Sequence, residues 1–273
     1  MSEAAVGGQT VSGVLADAAA RLVTAGCDTP RLDAELLLGS VLGVDRARLV
    51  VDAHVQVDPS VLARFEALMA RREAREPVAY ILGRKEFRRI TLTVDRRVLI
   101  PRPETELLVE VGLSLPAGAS VVDVGTGSGA VALALADERP DLSIVGTDLS
   151  ADALAVARDN GRRLGLGVEF VQADLMEGLD RRFDAVLANL PYVARDVDLQ
   201  PEIAHEPAEA LFGGPDGLDP VRRLLSMVDG VPVVALEVGL AQYVASLARK
   251  AGFASTEILR DLAGYERVVV ARR

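Results

Sequence analysis

Four consecutive residues, Asn189-Leu190-Pro191-Tyr192, carry groups suited to gripping a small planar polar group. The Asn189 side chain offers a carbonyl acceptor and an amide donor. The Leu190 carbonyl precedes a proline, which restricts local pairing and leaves that oxygen open to a donor from elsewhere. Tyr192 and Pro191 offer flat faces. An ordinary Asn-x-Pro turn has the same composition, so the weight of this reading depends on what shares the crevice with it.

Upstream, Val121-Val122-Asp123-Val124-Gly125-Thr126-Gly127-Ser128-Gly129-Ala130 reads as a strand entering a helix through a glycine turn. Such a turn brings a ligand against bare backbone and free helix-start N–H groups. The glycines alone also fit the dinucleotide pattern, in which a pyrophosphate sits at the helix start. An NAD-dependent oxidoreductase therefore stays open at this point. Asp123 tilts the balance, because a carboxylate at that mouth repels a pyrophosphate and attracts a cation. S-adenosyl-L-methionine (SAM) carries a sulfonium and an ammonium and no phosphate. Asp148, with Leu149 beside it, follows the next apolar run and is placed to meet ribose hydroxyls. Asp174 and Leu175 follow the third, where a carboxylate could accept from an adenine amino group while the leucine packs on the ring. The candidate cofactor-binding residues are thus Asp123, Gly125, Thr126, Gly127, Ser128, Gly129, Asp148, Leu149, Asp174, Leu175 and Asn189.

These residues need a scaffold that gathers successive strand ends. From Ala119 onward, strand-like runs (121–124, 144–146, 168–171, 185–188, 231–236) alternate with helical stretches (128–137, 151–164, 217–228, 240–251). That alternation predicts a mostly parallel sheet with helices on both faces, and ligands bind such sheets beyond the carboxyl ends of the strands. Segments 255–259 and 265–270 have no helix between them, so the last strands form a hairpin and one runs antiparallel. Ahead of this, Val11 to Ala79 shows helical spacing: Val14, Ala18, Leu22; Leu32, Leu36, Leu37; Val61, Phe65, Met69. Breakers at 26–30, 43–45 and 58–60 divide it into four short helices, with Asp58-Pro59-Ser60 as a capped helix start and Pro77 as the end of the bundle. Residues 87–98 alternate in period two, with Ile90, Leu92 and Val94 on one side, and predict a strand or hairpin. The boundaries are read as 1–80, a helical domain; 81–100, a β-hairpin linker; and 101–273, the catalytic domain.

Composition narrows the classes. Half of the 273 residues are apolar and 26% are charged, which excludes a wholly disordered chain. One cysteine, Cys27, and two histidines, His54 and His205, leave no donors for a disulfide framework and disfavour a metal centre. Cys27 and the loop residues His205 and Glu206 are read as packing residues. The net charge is −10, and the acidic excess lies in residues 101–273, which argues against broad nucleic-acid binding. The arginine-rich stretch Arg71–Arg97 is the exception: a salt-bridged surface, or a docking face for an acidic protein or an RNA. The first ten residues are small and polar, without a signal peptide's pattern, and no run is long enough to span a membrane. A cytoplasmic protein is the expectation.

With these motifs in hand, the chain resembles the HemK/PrmC family, the N5-glutamine methyltransferases of peptide chain release factors. The turn at Asn189–Tyr192 is similar to that of SAM-dependent enzymes that methylate planar nitrogens. The resemblance spans nearly the whole chain. It includes Pro77-Val78-Ala79-Tyr80-Ile81-Leu82-Gly83, Ile100-Pro101-Arg102-Pro103-Glu104-Thr105-Glu106, the glycine loop, Glu206-Pro207, Phe212-Gly213-Gly214-Pro215-Asp216-Gly217 and Gly264-Tyr265-Glu266-Arg267. It implies a class I SAM-dependent methyltransferase fold, Rossmann-like and seven-stranded, behind a small helical domain that recognises the substrate. It implies catalytic and substrate-binding roles for Asn189, Leu190, Pro191 and Tyr192, with Arg102 and Glu104 also on the substrate. The substrate implied is the glutamine of a release factor's Gly-Gly-Gln loop, the product of the cofactor S-adenosyl-L-homocysteine, and the enzyme a monomer.

One position departs from the family, whose usual turn is Asn-Pro-Pro-Tyr; Leu190 replaces the first proline. Asn-Leu-Pro-Tyr is common in adenine dimethyltransferases of ribosomal RNA, so a nucleic-acid adenine or cytosine methyltransferase is the alternative. In those enzymes, however, the smaller domain follows the catalytic one. A backbone carbonyl is what this position contributes, and leucine has one. A non-enzymatic SAM-binding module would need an inert turn at Asn189. The tripeptide Gly7-Gly8-Gln9 copies the substrate motif and is read as coincidence.

Overall fold

The computed structural model describes residues 9–195 and 197–273. The chain divides into two compact units, Met1–Gly83 with Gln200–His205, and Arg84–Leu199 with Glu206–Arg273.

The first unit is helical: α1 (Val11–Thr24), α2 (Pro30–Leu42), α3 (Arg46–Val51), α4 (Pro59–Glu73) and α5 (Val78–Leu82). Side-chain oxygens of Thr10, Asp45 and Asp58 cap α1, α3 and α4, each satisfying a helix-start N–H that would otherwise lack a partner. Leu15, Leu22, Leu37, Leu38, Phe65 and Met69 fill the core, and Cys27 is buried with them. Two expectations are corrected. Among the described residues this unit has five α-helices, not four, because Pro77 opens α5 instead of ending the bundle; its carbonyl accepts from Tyr80 and Ile81 N–H, and a proline's missing N–H is no loss at a helix start. Leu32 and Leu36 lie outward on α2, while Ala34, Leu37 and Leu38 face in. At the end of the expected frayed tail, the Gln9 carbonyl accepts from Val57 N–H and Thr10 bridges Gln56. Gly7 and Gly8 lie outside the described residues.

A buried ion cluster crosses this unit. Arg72, 4% exposed, donates to Asp33 at 2.7 Å and to Glu202 at 2.8 Å, and Arg75 donates to both oxygens of Glu202. Glu202 arrives from a stretch 130 residues further along the chain.

The second unit opens with an antiparallel hairpin, β1 (Arg84–Phe87) and β2 (Ile90–Thr93). Ile90, Leu92 and Val94 are buried, as their alternation predicts. A short 3-10 turn, Pro103–Thr105, leads into α6 (Glu106–Leu113). Then come β3 (Ser120–Val124), α7 (Ala130–Glu138), β4 (Ser143–Asp148), α8 (Ala151–Leu164), β5 (Glu169–Gln172) and β6 (Ala185–Asn189), followed by α9 (Asp219–Met227), β7 (Val233–Glu237), α10 (Ala241–Lys250), β8 (Ser255–Arg260) and β9 (Glu266–Arg272). The seven-stranded sheet has the order β5-β4-β3-β6-β7-β9-β8. All neighbours are parallel except the pairs made by β9. The expected Rossmann-like architecture with a terminal hairpin is present.

Val121, Val122 and Val124 of β3 and Val186, Leu187 and Ala188 of β6 are fully buried. Helices cover both faces, so the central strands read as unbroken apolar runs. Strand order reverses at β3, with β4 and β5 on one side and β6 and β7 on the other. That reversal opens a crevice at the carboxyl ends of the strands.

Candidate active site

The crevice holds a cavity of about 340 Å³. Its walls include Gly125, Gly127, Asp148, Leu149, Asp174, Leu175, Asn189, Leu190 and Pro191, closed by Val98 and Leu99 on one side and by Pro207, Ala210 and Phe212 on another. One wall therefore unites residues from four strand ends that lie up to 66 positions apart, counting from Gly125 to Pro191. Asp123, Thr126, Ser128 and Gly129, expected on the cofactor, are not among the residues that line the cavity.

Asp123 is 2% exposed and accepts from the Thr126 hydroxyl at 2.6 Å and the Ala132 N–H at 3.2 Å. Burial pushes its carboxyl up to about 6. Its contacts pin the glycine loop to the start of α7. Gly127 takes φ +55 in that loop, a left-handed conformation, and a side chain there would meet open space; glycine adopts it without strain. Asp148 completes the loop from the next strand. Its Oδ2 accepts from Gly127 N–H and its Oδ1 from Ser150 N–H, both at 2.9 Å, and burial raises its pKa. Each oxygen keeps a lone pair for a ligand hydroxyl. Asp174 is ion-paired with Arg223 at 2.9 Å, across an exposed contact that a ligand amino group could replace at little loss. Leu149 is largely exposed, and Leu175 takes φ +57 while its carbonyl accepts from the Thr147 hydroxyl.

On the wall of the same cavity, Asn189 Nδ2 donates to Thr105 Oγ1 at 3.1 Å. Among the described residues nothing donates to Asn189 Oδ1 or to the Leu190 carbonyl. The Leu190 side chain is buried beside Gly125, whose added Cβ would meet Leu190 Cδ2 at 3.4 Å. Tyr192 lies against Gly239; burial first, then the charges of Glu237 and Glu104, raises its pKa. The turn is braced by residues 211–217. Val193 N–H donates to the Leu211 carbonyl and Gly213 N–H to the Val193 carbonyl. A Cβ on Gly213 would sit 2.2 Å from the Pro191 oxygen, and one on Gly217 2.2 Å from the Tyr192 oxygen, so the backbones touch only because both are glycines.

Arg102 is ion-paired with buried Glu206, which also accepts from Ile100 N–H at 3.0 Å. Glu206 therefore clamps the proline-rich segment that carries Thr105, a larger part than the packing role read from the sequence. Glu104 is half-buried. In the arginine-rich stretch, Arg71 pairs with Glu76 in the helical unit, while Arg88 pairs with Glu110 and Glu138 and Arg97 with Asp95 in the sheet unit. Much of that positive charge is thus spent within each unit.

Four contributors were not singled out from the sequence. Thr105 holds Asn189. Asn160, fully buried on α8, accepts from Thr93 N–H and donates to the Thr93 and Ser128 carbonyls, tying the hairpin to the glycine loop. Arg223 holds Asp174. Glu237 ends β7 directly beside Asn189 in the sheet register. Thr105 lies in a segment the resemblance covers; the other three have no local pattern to mark them.

Two family profiles match the chain: PrmC N-terminal domain over residues 13–83, and methyltransferase small domain over residues 103–213. The release factor glutamine methyltransferase of Mycolicibacterium smegmatis is 42% identical over 272 residues, covering 94% of this chain and 95% of that protein. The protein of the same name from Rhodospirillum rubrum is 40% identical over 266 residues, covering 93% and 82%. Among solved structures, a methyltransferase from Pyrococcus furiosus superposes with a TM-score of 0.52 at 19% identity over 66% of this chain and 87% of that one, a likeness of fold. With a glycine-loop crevice ending at Asn189–Tyr192, and relatives at this level of identity across almost its whole length, the chain belongs to the family of release factor glutamine methyltransferases.

Proposed function

We propose that this protein methylates the side-chain amide nitrogen of the glutamine in the Gly-Gly-Gln loop of peptide chain release factors, with SAM held in the crevice. The observation that carries this reading is the state of Asn189 and Leu190. One side-chain nitrogen is tied down by Thr105, and two neighbouring oxygens of residues lining the cavity have no donor among the described residues.

The cavity's size is in the range of small-ligand sites. Its carboxylates, Asp148, Asp174 and Glu209, suit a ligand with hydroxyls and positive charge and oppose a pyrophosphate. Asp148 would accept from ribose hydroxyls, Asp174 from an adenine amino group, and Leu149 and Leu175 would flank the ring. When bound, SAM supplies an electrophilic methyl on a sulfonium and leaves as S-adenosyl-L-homocysteine.

An amide nitrogen is a poor nucleophile because its lone pair is shared with the carbonyl, a resonance worth about 18–20 kcal/mol in rotation about the bond. Asn189 Oδ1 and the Leu190 carbonyl would accept its two N–H groups. Two fixed acceptors on one side favour a pyramidal nitrogen whose lone pair faces the cavity. In a dry site each such bond contributes about 1–3 kcal/mol, and alignment contributes more. Pro191 and Tyr192 would pack on the flat carboxamide, and Arg102 and Glu104 of the 101–106 segment would contact the substrate outside the residues that line the cavity. The helical unit would hold the body of the factor. The enzyme would work as a monomer in the cytoplasm, by the family resemblance. No helix among the described residues is long and apolar enough to cross a membrane.

The test is transfer of labelled methyl from SAM to a purified release factor, beside the same factor with its loop glutamine changed to alanine, ribosomal RNA and DNA. Label in the intact factor alone is the expected result. Label in the RNA or DNA arm instead would favour the nucleic-acid alternative and sink the proposal.

A further inference from the structure

Glu237 is the one buried side chain among the described residues whose polar atoms have no hydrogen-bond partner, and both of its oxygens are orphaned. The residue is 1% exposed. An unpaired buried carboxylate is strongly unfavourable, so its position invites a functional account. It ends β7, and its register partner on β6 is Asn189. Its polar neighbour is the Thr105 hydroxyl, close enough to act on the carboxyl without completing a hydrogen bond. Thr105 is itself 4% exposed, and its oxygen already accepts from Asn189 Nδ2.

A hydroxyl has a single proton to give. With Asn189 donating to Thr105 Oγ1, that proton is free for an acceptor on the other side, and Glu237 is the carboxylate there. From this juxtaposition we infer that Glu237 is a positioning residue for methyl transfer. Its carboxylate accepts the Thr105 proton, Thr105 in turn accepts from Asn189, and this order fixes Asn189 with Nδ2 inward and Oδ1 toward the substrate amide. Without an acceptor at Glu237, the Thr105 proton can turn toward Asn189 and draw Oδ1 away from the cavity. The inference rests on the proposed grip of Asn189 on the glutamine amide.

Charge supports the same arrangement. Burial pushes the Glu237 carboxyl up to about 7, with Glu104 also raising it and Thr105, Arg267 and Arg102 opposing. Tyr192 faces it from the turn. The ordering of Asn189 therefore weakens as Glu237 takes up a proton, and turnover falls with it on the acid side of neutrality. Asp123, which burial pushes up to about 6, is the same in every variant, so the comparison between variants isolates Glu237.

The experiment measures methyl transfer to a release factor, as kcat and KM across pH 5.5 to 9, with SAM affinity by calorimetry and a melting curve for each protein. Thr105→Val and Glu237→Leu should lower kcat at least tenfold while SAM affinity stays within about threefold. Thr105→Ser, which restores the hydroxyl, should recover kcat to within about threefold of wild type. Glu237→Gln carries donors as the protonated carboxyl does and cannot titrate; its kcat should stay near the level wild type reaches on its acid limb, with no limb of its own near pH 7. Wild-type kcat in folded Thr105→Val, or an acid limb unmoved in Glu237→Gln, overturns the inference. An Asn189→Ala control separates the two readings: if it stays active, the proposed grip fails and the relay with it; if it is inactive while Thr105→Val is not, only the relay fails.

Discussion

Asn189 brings one donor and one acceptor to the crevice, and the structure spends the donor on Thr105. Replacing it with alanine removes the acceptor without touching Asp148, the residue proposed to hold the cofactor's ribose. Turnover should drop on the order of 10²-fold, the loss of one aimed group in a water-poor site, with SAM affinity little changed. Asp148→Ala should do the reverse, weakening SAM about tenfold by calorimetry and giving back activity at saturating cofactor. Glu237 makes a second, thermodynamic prediction. Its folded pKa is raised by burial to about 7 from the ordinary 4.5. The native state thus keeps a proton that the unfolded chain releases, and folding weakens as pH rises between those values. The stabilising contribution is whole below pH 4.5 and is lost as pH passes 7, a difference of about 3 kcal/mol. Glu237→Gln should therefore unfold at higher denaturant than wild type at pH 8, with the gap closing by pH 4.5. Identical pH dependence in the two proteins would refute the assignment. A residue that destabilises the resting fold at working pH is one kept for function.

The element that presents Asn189 is a turn braced by another loop. Pro191 and Tyr192 carbonyls approach Gly213 and Gly217 so closely that a Cβ would lie 2.2 Å from each oxygen. Gly217 also has φ +75. Gly217→Ala should cost more than 2 kcal/mol, about 1 for the left-handed conformation and the rest for moving the turn, and should lower kcat with it. Gly178→Ala is the control, because it too has a positive φ but its Cβ would meet nothing within 4 Å; it should cost about 1 kcal/mol and leave kcat alone. These close approaches also show what the sequence could disclose. The β/α alternation was legible because buried parallel strands are continuous apolar runs and amphipathic helices recur at 3.6. The strand-end carboxylates were legible because each follows such a run directly. Pro77 misled because a proline both ends one helix and starts another, and only the later residues' packing decides which. Leu32 and Leu36 misled because α2 buries its face at 34, 37 and 38. Thr105, Asn160 and Glu237 reach the site through partners tens of residues away, and no periodicity records such a pairing.

At the scale of the molecule, the helical unit is not one continuous piece of chain. It takes in Gln200–His205 as well as the first 83 residues. The later stretch is held to it by charge: Glu202 receives Arg72 and Arg75, and Arg72 also holds Asp33. Arg72 and Asp33 are 5% and 6% exposed at their side chains and Glu202 18%, so water does little to screen the cluster. Hydrogen bonds from the two arginines outweigh burial and hold the Glu202 carboxyl well below the ordinary range. A carboxylate lowered in this way stabilises the fold above its unfolded pKa and loses that contribution as pH falls through the folded value. Glu202→Ala should then leave Arg72 with one acceptor fewer in a dry setting and destabilise the helical unit by about 2–3 kcal/mol at pH 7. Added salt should not mimic the change, since a buried pair is poorly screened. The check is thermal unfolding followed by helical circular dichroism at pH 7 and pH 3, in low and high salt. The variant should melt well below wild type at pH 7 in both salts, and the gap should narrow at pH 3, which lies between the ordinary value of 4.5 and the folded value of about 2. Equal melting at pH 7 would mean that the cluster closes no fold, and that the later stretch is retained by its apolar contacts alone.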